Sequence, residues 1–486
     1  MEHKPAPECN AVAERSLALV LDQGGSSSRA LVFDVRGRVL ARAQASVTIR
    51  HPGPDRVEQD PLELLESLQR CAALALEELG ARAADCTVAG LCTQRASALA
   101  WRRGSREPLS PVLSWQDRRA AAALEALQPA AARVEQLSGL RLSPHYGASK
   151  LRWLWEHESR VAEAARDSSL CLGPLAGYLA GTLGAPAEEL VDAVSASRTQ
   201  LVELATREWS EELCALFRLR REWLPRIAGA QSDFGRLCVG RASLPLRVVT
   251  GDQSAAVFAA GEPAPRTLLI NLGTGGFVQA LVREPRHAAG LLTSLLPSDE
   301  RGPRFSLEGT INGAGSALEW CAERHGLRFD PDRLEAALHP DRTPPLFFNA
   351  HSGLAAPFWR PHAVSRFSNH AGALEELAAV AESILFLVLA IADRMRAVLG
   401  SFERAEISGG LARSDALCQR LADLLGIEVW RREETEASAR GLAWLCLGTP
   451  MEAPASRCFD PREQDTLLQR QARWNTWIQE LLCEST

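Results

Sequence analysis

Apolar residues near the start of the chain come in short runs broken by small polar residues. Leu17-Ala-Leu-Val-Leu-Asp22 has the length and character of a buried strand. It enters a turn of small residues, Gln23-Gly-Gly-Ser-Ser-Ser-Arg29, after which Ala30-Leu-Val-Phe-Asp34 resumes the apolar pattern. Val35 to Arg38 forms a second turn, and Val39 to Ala45 a third strand. The spacing predicts a β-meander. From Pro61 to Leu79 the period lengthens, placing Leu65, Leu68, Ala72, Leu76 and Leu79 on one face of a helix. Pro61 suits the first turn of that helix, just after Asp60. Thr87 to Leu91 returns to strand, and the alternation of strand and helix predicts an α/β domain.

The opening pattern recurs in the second half. Arg266 to Asn271 reads as a strand, Leu272-Gly-Thr-Gly-Gly276 as a turn and Phe277 to Val282 as a returning strand. A long helix is expected from Ala373 to Leu399, followed by strand Ala405 to Ile407 and the turn Ser408-Gly-Gly410. Between the halves, Gly261-Glu-Pro-Ala-Pro265 reads as a hinge. Two domains are therefore expected, residues 1–258 and 259–486.

Composition narrows the class. Hydrophobic residues make up 46% and charged residues 23% of 486, which excludes a disordered, collagenous or coiled-coil chain. Lys+Arg 54 against Asp+Glu 60 gives 54 − 60 = −6, so nothing draws the chain globally to nucleic acid. The 12 cysteines are scattered with no C-x-x-C, which argues against a zinc or redox motif and for thiols buried in a reducing compartment. Neither a signal-peptide core nor an apolar run of membrane-spanning length occurs; Ile384 to Ala392 is the longest aliphatic stretch. The expectation is a cytoplasmic protein with no membrane or nucleic-acid partner. The short basic clusters Arg102-Arg103, Arg118-Arg119 and Arg220-Arg221 are expected on a solvated surface.

The two turns carry candidate chemistry. Backbone N–H groups in a Gly/Ser/Thr turn make a concave anion site, and glycine lets the chain approach a phosphate closely. Gly24, Gly25, Ser26 and Ser27 offer this, with Arg29 as a charged partner. Thr274 and Gly275 offer a second cradle. Asp22, at the end of its strand, is placed to hold a magnesium ion through water. One such turn alone reads equally as a plain hairpin; two in matched positions point to a nucleotide. The loop is not of the G-x-x-x-x-G-K-[ST] kind.

With these residues in view, the chain resembles the FGGY carbohydrate kinase family from about Leu17 to Leu447. Asp22 to Ala30, Thr93-Gln-Arg95, Ser114-Trp-Gln-Asp-Arg-Arg119, Pro144 to Lys150, Ser195 to Arg198 and Gly251 to Ala256 carry the likeness in the first half. Gly273-Thr-Gly275, Asn312 to Ser316, Gly353 to Trp359 and Ser408 to Ser414 carry it in the second. The resemblance implies two actin-like (ribonuclease H-like) domains flanking a cleft. It implies ATP and magnesium, a small polyol or sugar acceptor, and a homodimer or homotetramer. Asp252 matches the family's catalytic base, although Gly-Asp before Gln-Ser-Ala-Ala also reads as a helix cap. Gly24, Gly25, Ser26, Ser27, Arg29, Thr274 and Gly275 match phosphate-binding positions, and Gly315, Gly410 and Ser414 positions near adenosine. Gln94, Arg95, Trp115, His145, Gln253 and Phe277 match the acceptor pocket.

The pattern departs from that of the family's glycerol-phosphorylating members, its nearest branch, at two acceptor positions. Ala96 stands where they carry Glu, and His145 where they carry Tyr. Arg360 also replaces the usual Asp. Losing a buried acceptor should weaken hydroxyl binding. The leading expectation is a polyol kinase. Its rivals are a kinase of a tetritol, pentitol or ketopentose, and a non-catalytic ATP-binding regulator.

Overall fold

The structure is a computed structural model that describes residues 16–339, 342–433, 436–449, 451–463 and 465–484. Cys9 and the polar N-terminal segment lie outside these residues. The chain divides into two units. The first runs through Pro263 and also takes Ser294–Phe305 and Glu436–Ala453; the second comprises Ala264–Thr293, Ser306–Thr435 and Pro454–Thr486. Where the sequence expects one cut after residue 258, the first change of unit falls inside the Gly261–Pro265 segment, and two later segments rejoin the first unit.

In the first unit, β1 (Leu17–Gln23), β2 (Ser27–Phe33), β3 (Val39–Ser46), β4 (Cys86–Thr93), β5 (Arg236–Val239) and β6 (Ala242–Gly251) form one sheet in the order β5-β6-β4-β1-β2-β3. β1 lies inside it, antiparallel to β2 and parallel to β4. All seven of its residues are buried. This explains its unbroken apolar run, because a strand covered on both faces has no polar side to alternate. Helix α1 (Pro61–Leu79) covers one face. Asp60 caps it by accepting a hydrogen bond from the Leu62 N–H. Its buried stripe is Leu64, Leu68, Cys71, Ala72, Ala75 and Leu76. Leu65 and Leu79, expected on that face, sit half-buried at its margin because the stripe is set by Leu64 and repeats from there. Also in this unit, α2 (Gly147–His157) follows the Pro144–Tyr146 segment, and α3 (Asp252–Ala256) starts where β6 ends.

In the second unit, β7 (Thr267–Leu272) and β8 (Gly276–Val282) make the expected hairpin. The sheet that holds this hairpin also contains β9 (Leu292–Asp299), β10 (Gly302–Ile311), β11 (Arg404–Ser408), β12 (Glu428–Arg432) and β13 (Ser456–Phe459), in the order β9-β10-β8-β7-β11-β12-β13, with Ser294–Phe305 of β9 and β10 grouped with the first unit. The core of each sheet thus repeats one plan. A first strand is antiparallel to the next in sequence on one side and parallel to a later strand on the other. Beyond that parallel strand lies another parallel one. Helices α4 (Gly315–Arg324) and α5 (Ala373–Leu399) pack into the core of this unit, and α6 (Asp415–Leu425) joins them. The aliphatic stretch Ile384 to Ala392 belongs to buried α5. No helix among the described residues is long and apolar enough to cross a membrane.

Helix α7 (Ala437–Leu447) belongs to the first unit, where it packs on β1, β4 and α3. It lies on the sheet face opposite α1: Gly90 of β4 faces Leu442 and Cys446 of α7, whereas its neighbours Ala89 and Leu91 join the cluster that holds Leu64 and Leu68. A Cβ at Gly441 would fall 1.9 Å from the Ala255 carbonyl oxygen, so glycine is what lets α7 lie against α3.

Candidate active site

The first turn is tied from several sides. The Gly24 N–H donates to the Ser27 carbonyl at 2.9 Å and closes the hairpin. Gln59 Nε2 donates to the Gly25 carbonyl at 2.8 Å, and Gln94 Nε2 donates to Gln59 Oε1 at 2.6 Å. Gln94, expected to touch substrate, is therefore anchored through its amide nitrogen. Its Oε1 is buried without a protein partner. Ser26 is exposed, while Ser28 is buried and shares a hydrogen bond with Ser67.

Beside this turn runs a line of charge. Arg29 bridges Asp22 at 2.5 Å and Glu436 at 2.6 Å. Asp22 is buried, and burial raises its carboxyl above the ordinary range against the pull of Arg29 and a hydrogen bond with the Cys92 thiol. Burial and the neighbouring Asp22 and Asp252 push that thiol well up, so Cys92 stays protonated.

Asp252 is the first residue of α3 rather than its cap; Gly251 holds the capping position. Its Oδ1 accepts from the Gln253 N–H at 2.7 Å. Burial pushes its carboxyl up to about 6, with Arg95 and Arg198 pulling it back and Asp22 adding to the rise. A carboxylate so placed is ionised at neutral pH yet more basic than a surface aspartate. Arg95 donates to Gln253 Oε1. Its side chain crosses the end of β6 where a Cβ at Gly251 would stand 2.6 Å from Arg95 Cγ.

Aromatic groups form a second wall. The Trp115 and His145 rings meet edge-on with centroids 5.6 Å apart, and His145 meets Tyr146 at 5.0 Å. Burial lowers the His145 imidazole well below its ordinary value, and Lys150, Arg118, Arg198 and Arg95 lower it further. It is neutral, able to donate and accept. Lys150 is fully buried, donating to the His145 carbonyl at 2.5 Å and the Ala96 carbonyl at 3.1 Å. It thereby pins the two positions where the sequence departs from the family pattern. Ala96 is buried with φ 62, in the left-handed region.

The Arg118-Arg119 pair is not the solvated cluster expected. Arg119 is almost wholly buried, pairing with Asp117 at 2.8 Å and Glu58 at 2.6 Å. Arg118 donates to the Trp115 carbonyl at 2.8 Å. Asp117, two residues before Arg119, also accepts the Val57 N–H, which consumes the charge inside the fold.

In the second unit, the Gly273–Gly275 turn is closed by Gly273 N–H to Gly275 carbonyl at 2.9 Å. The first residues of α4 rest on it: the Ala314 and Ser316 N–H groups donate to the Thr274 carbonyl. Gly315 must lack a side chain because its Cβ would meet the Gly273 oxygen at 2.8 Å. Gly409, at φ 95, passes against Leu272 of β7, so the Gly409-Gly410 turn lies beside the phosphate-type turn. Nothing stands within 4 Å of a Cβ at Gly410, which leaves an open backbone face. Ser414 is turned inward as the cap of α6, accepting from the Leu417 N–H and donating to Glu335. Phe277 is half-buried on β8, opposite Asn271.

Within the first unit the contacts link Asp22, Gly25, Arg29, Gln94, Arg95, Trp115, His145, Asp252 and Gln253 into one neighbourhood. Sequence reasoning did not single out Gln59, Cys92, Lys150, Glu436 or Gly251 as individual contributors. Of these only Gly251, the small residue before the aspartate, and Lys150, at the end of the Pro144–Lys150 motif, left a signal.

Residues 17–259 match the N-terminal domain of the FGGY family of carbohydrate kinases, and residues 268–448 match its C-terminal domain. A glycerol kinase of Citrifermentans bemidjiense is 34% identical over 441 residues, covering 88% of this chain and 89% of that one. One from Thermus brockianus is also 34% identical, covering 88% of each. Among solved structures, Plasmodium falciparum glycerol kinase with ADP superposes with a TM-score of 0.87 at 21% identity, covering 96% of this chain and 98% of that one. That likeness shows the fold.

Proposed function

The chain belongs to the FGGY family of carbohydrate kinases, and we propose that it transfers the γ-phosphoryl group of ATP to a hydroxyl of a small, glycerol-like polyol, with Asp252 as general base. Membership makes it a phosphotransferase acting on a hydroxyl acceptor. The observation that supports the finer reading is Asp252 itself. It sits where β6 gives way to α3, carries a basicity raised to about 6, and neighbours the Arg95–Gln253 pair.

In the reaction, the acceptor oxygen bonds to the γ-phosphorus as the bond to the bridging oxygen of ADP breaks. ADP leaves with that electron pair, and the hydroxyl proton passes to a carboxylate oxygen of Asp252. Arg95 and Gln253 offer hydrogen bonds to acceptor hydroxyls. Trp115 and the neutral His145 offer a carbon-covering face and an adaptable partner. Gly24, Gly25, Ser26 and Ser27 offer phosphate donors from the first unit, and Thr274 and Gly275 from the second. The open face at Gly410 suits a flat purine, and Gly315 supports the turn beneath.

A divalent ion of the magnesium kind would neutralise charge on the nucleotide phosphates. Asp22 fits it through water only: its Oδ2 is held by Arg29, and magnesium retains several waters. The test is ADP release by the purified chain with a panel of neutral polyols, glycerol first. Polyol-dependent ADP release supports the reading; ATP turnover indifferent to every acceptor contradicts it.

A further inference from the structure

Away from these residues, the second unit gathers a set of donors that the kinase reaction does not use. Cys321 lies on the buried face of α4, and His325, four residues on, is the residue that caps the C-terminus of that helix. A four-residue spacing over the last turn of a helix brings two side chains to the same side, which is a common way to present two ligands to one ion. Glu376, in the first turn of α5, meets them. Its carboxyl is buried, and one oxygen lies 2.9 Å from His325 Nε2. Cys321 Sγ, a ring nitrogen of His325 and a Glu376 oxygen all lie within 4.8 Å of one another. His370, largely exposed just before α5, brings Nδ1 to 3.9 Å from the other Glu376 oxygen.

We propose that Cys321, His325 and Glu376 bind one zinc-like divalent cation, with His370 or water as fourth ligand, clipping α4 to α5. Sulfur, imidazole nitrogen and carboxylate oxygen together are the donor mix of zinc. Zinc bonds of about 2.0–2.3 Å place tetrahedral donors roughly 3.3–3.8 Å apart, so the set closes on an ion by small side-chain adjustments. Charge favours the same assignment. A dication, one thiolate, one carboxylate and neutral imidazole sum to zero, which suits a largely buried place. Without the ion, burial and the Glu376 charge push the Cys321 thiol up to about 12 and keep it protonated. The plain alternative is a His325–Glu376 ion pair with Cys321 as packing.

The experiment is a Co²⁺ titration of the full chain after chelator treatment, followed by Zn²⁺ displacement. The proposal predicts one equivalent bound, a near-ultraviolet thiolate-to-cobalt band, the visible spectrum of a four-coordinate ion, and a higher Tm with Zn²⁺. Cys321→Ser should abolish the charge-transfer band. His325→Gln, at a partly exposed position that tolerates change, should weaken affinity at least about tenfold. Cys458→Ser, in the separate group Glu428, Cys458 and Asp460, should leave the signal intact. Absence of saturable binding, or a band and affinity unchanged in both the Cys321 and His325 variants, overturns the proposal.

Discussion

Arg95 reaches Gln253 across the end of β6, and the path exists because residue 251 has no side chain. A β-carbon there would stand 2.6 Å from Arg95 Cγ. Gly251→Ala should therefore displace the guanidinium from its place beside Gln253 without touching Asp252 directly. The expected result is a kcat/KM for the acceptor lower by at least about tenfold, one misplaced hydrogen-bonding group's worth. Stability should fall by about 1–3 kcal/mol. Steady-state kinetics with thermal denaturation of the same variant checks both.

Ala96 and His145 are joined by Lys150, which donates to both carbonyls. Removing it by Lys150→Met leaves two buried acceptors unpaired, each costing about 1–3 kcal/mol. The expected outcome is a clear fall in the midpoint of chemical denaturation and a weakened KM for the acceptor. An unchanged KM in a folded variant would separate this lysine from the acceptor wall.

At position 96, a carboxylate would restore the acceptor group that the family's glycerol-phosphorylating members carry. Ala96→Glu should lower KM for glycerol by at least about tenfold, the worth of one charged hydrogen bond in a buried site. Ala96→Gln, of the same length but uncharged, should recover less. Equal kinetics for all three proteins would show that residue 96 does not face the acceptor.

The sheet plan was legible from the sequence because strands covered on both faces write continuous apolar runs. Leu17–Asp22 predicted β1 to within a residue, and Pro61–Leu79 and Ala373–Leu399 gave α1 and α5 their observed ends. Family motifs drew attention to Asp252, Arg95 and the two turns. What stayed hidden depends on partners far apart in the chain. Glu436 meets Arg29 across 407 positions, and Arg119 meets Glu58 across 61. No local pattern announces that Arg119 will be buried or that α7 will return to the first unit. Ser414 has a structural role its motif position did not announce: it accepts from the Leu417 N–H as the cap of α6.

As the proposed base, Asp252 ties the reaction to pH. Its folded-state value of about 6 lies above the ordinary 3.8, so the folded chain binds this proton more tightly than the unfolded one. That contribution to stability is fully present below about pH 4 and is lost as pH rises through 6. At pH 7 the ionised group is a cost, and Asp252→Asn should be more stable than the parent by about 1–3 kcal/mol. As base, the same group must be ionised, so the parent's kcat should rise with pH through about 6 and then level.

The most direct test is the turnover number of Asp252→Asn, measured as acceptor-dependent ADP release at saturating ATP. A general base in this position predicts a loss of about 10²–10⁴-fold in a folded variant whose affinity for ATP is unchanged. Turnover within a few-fold of the parent would contradict the assignment of Asp252.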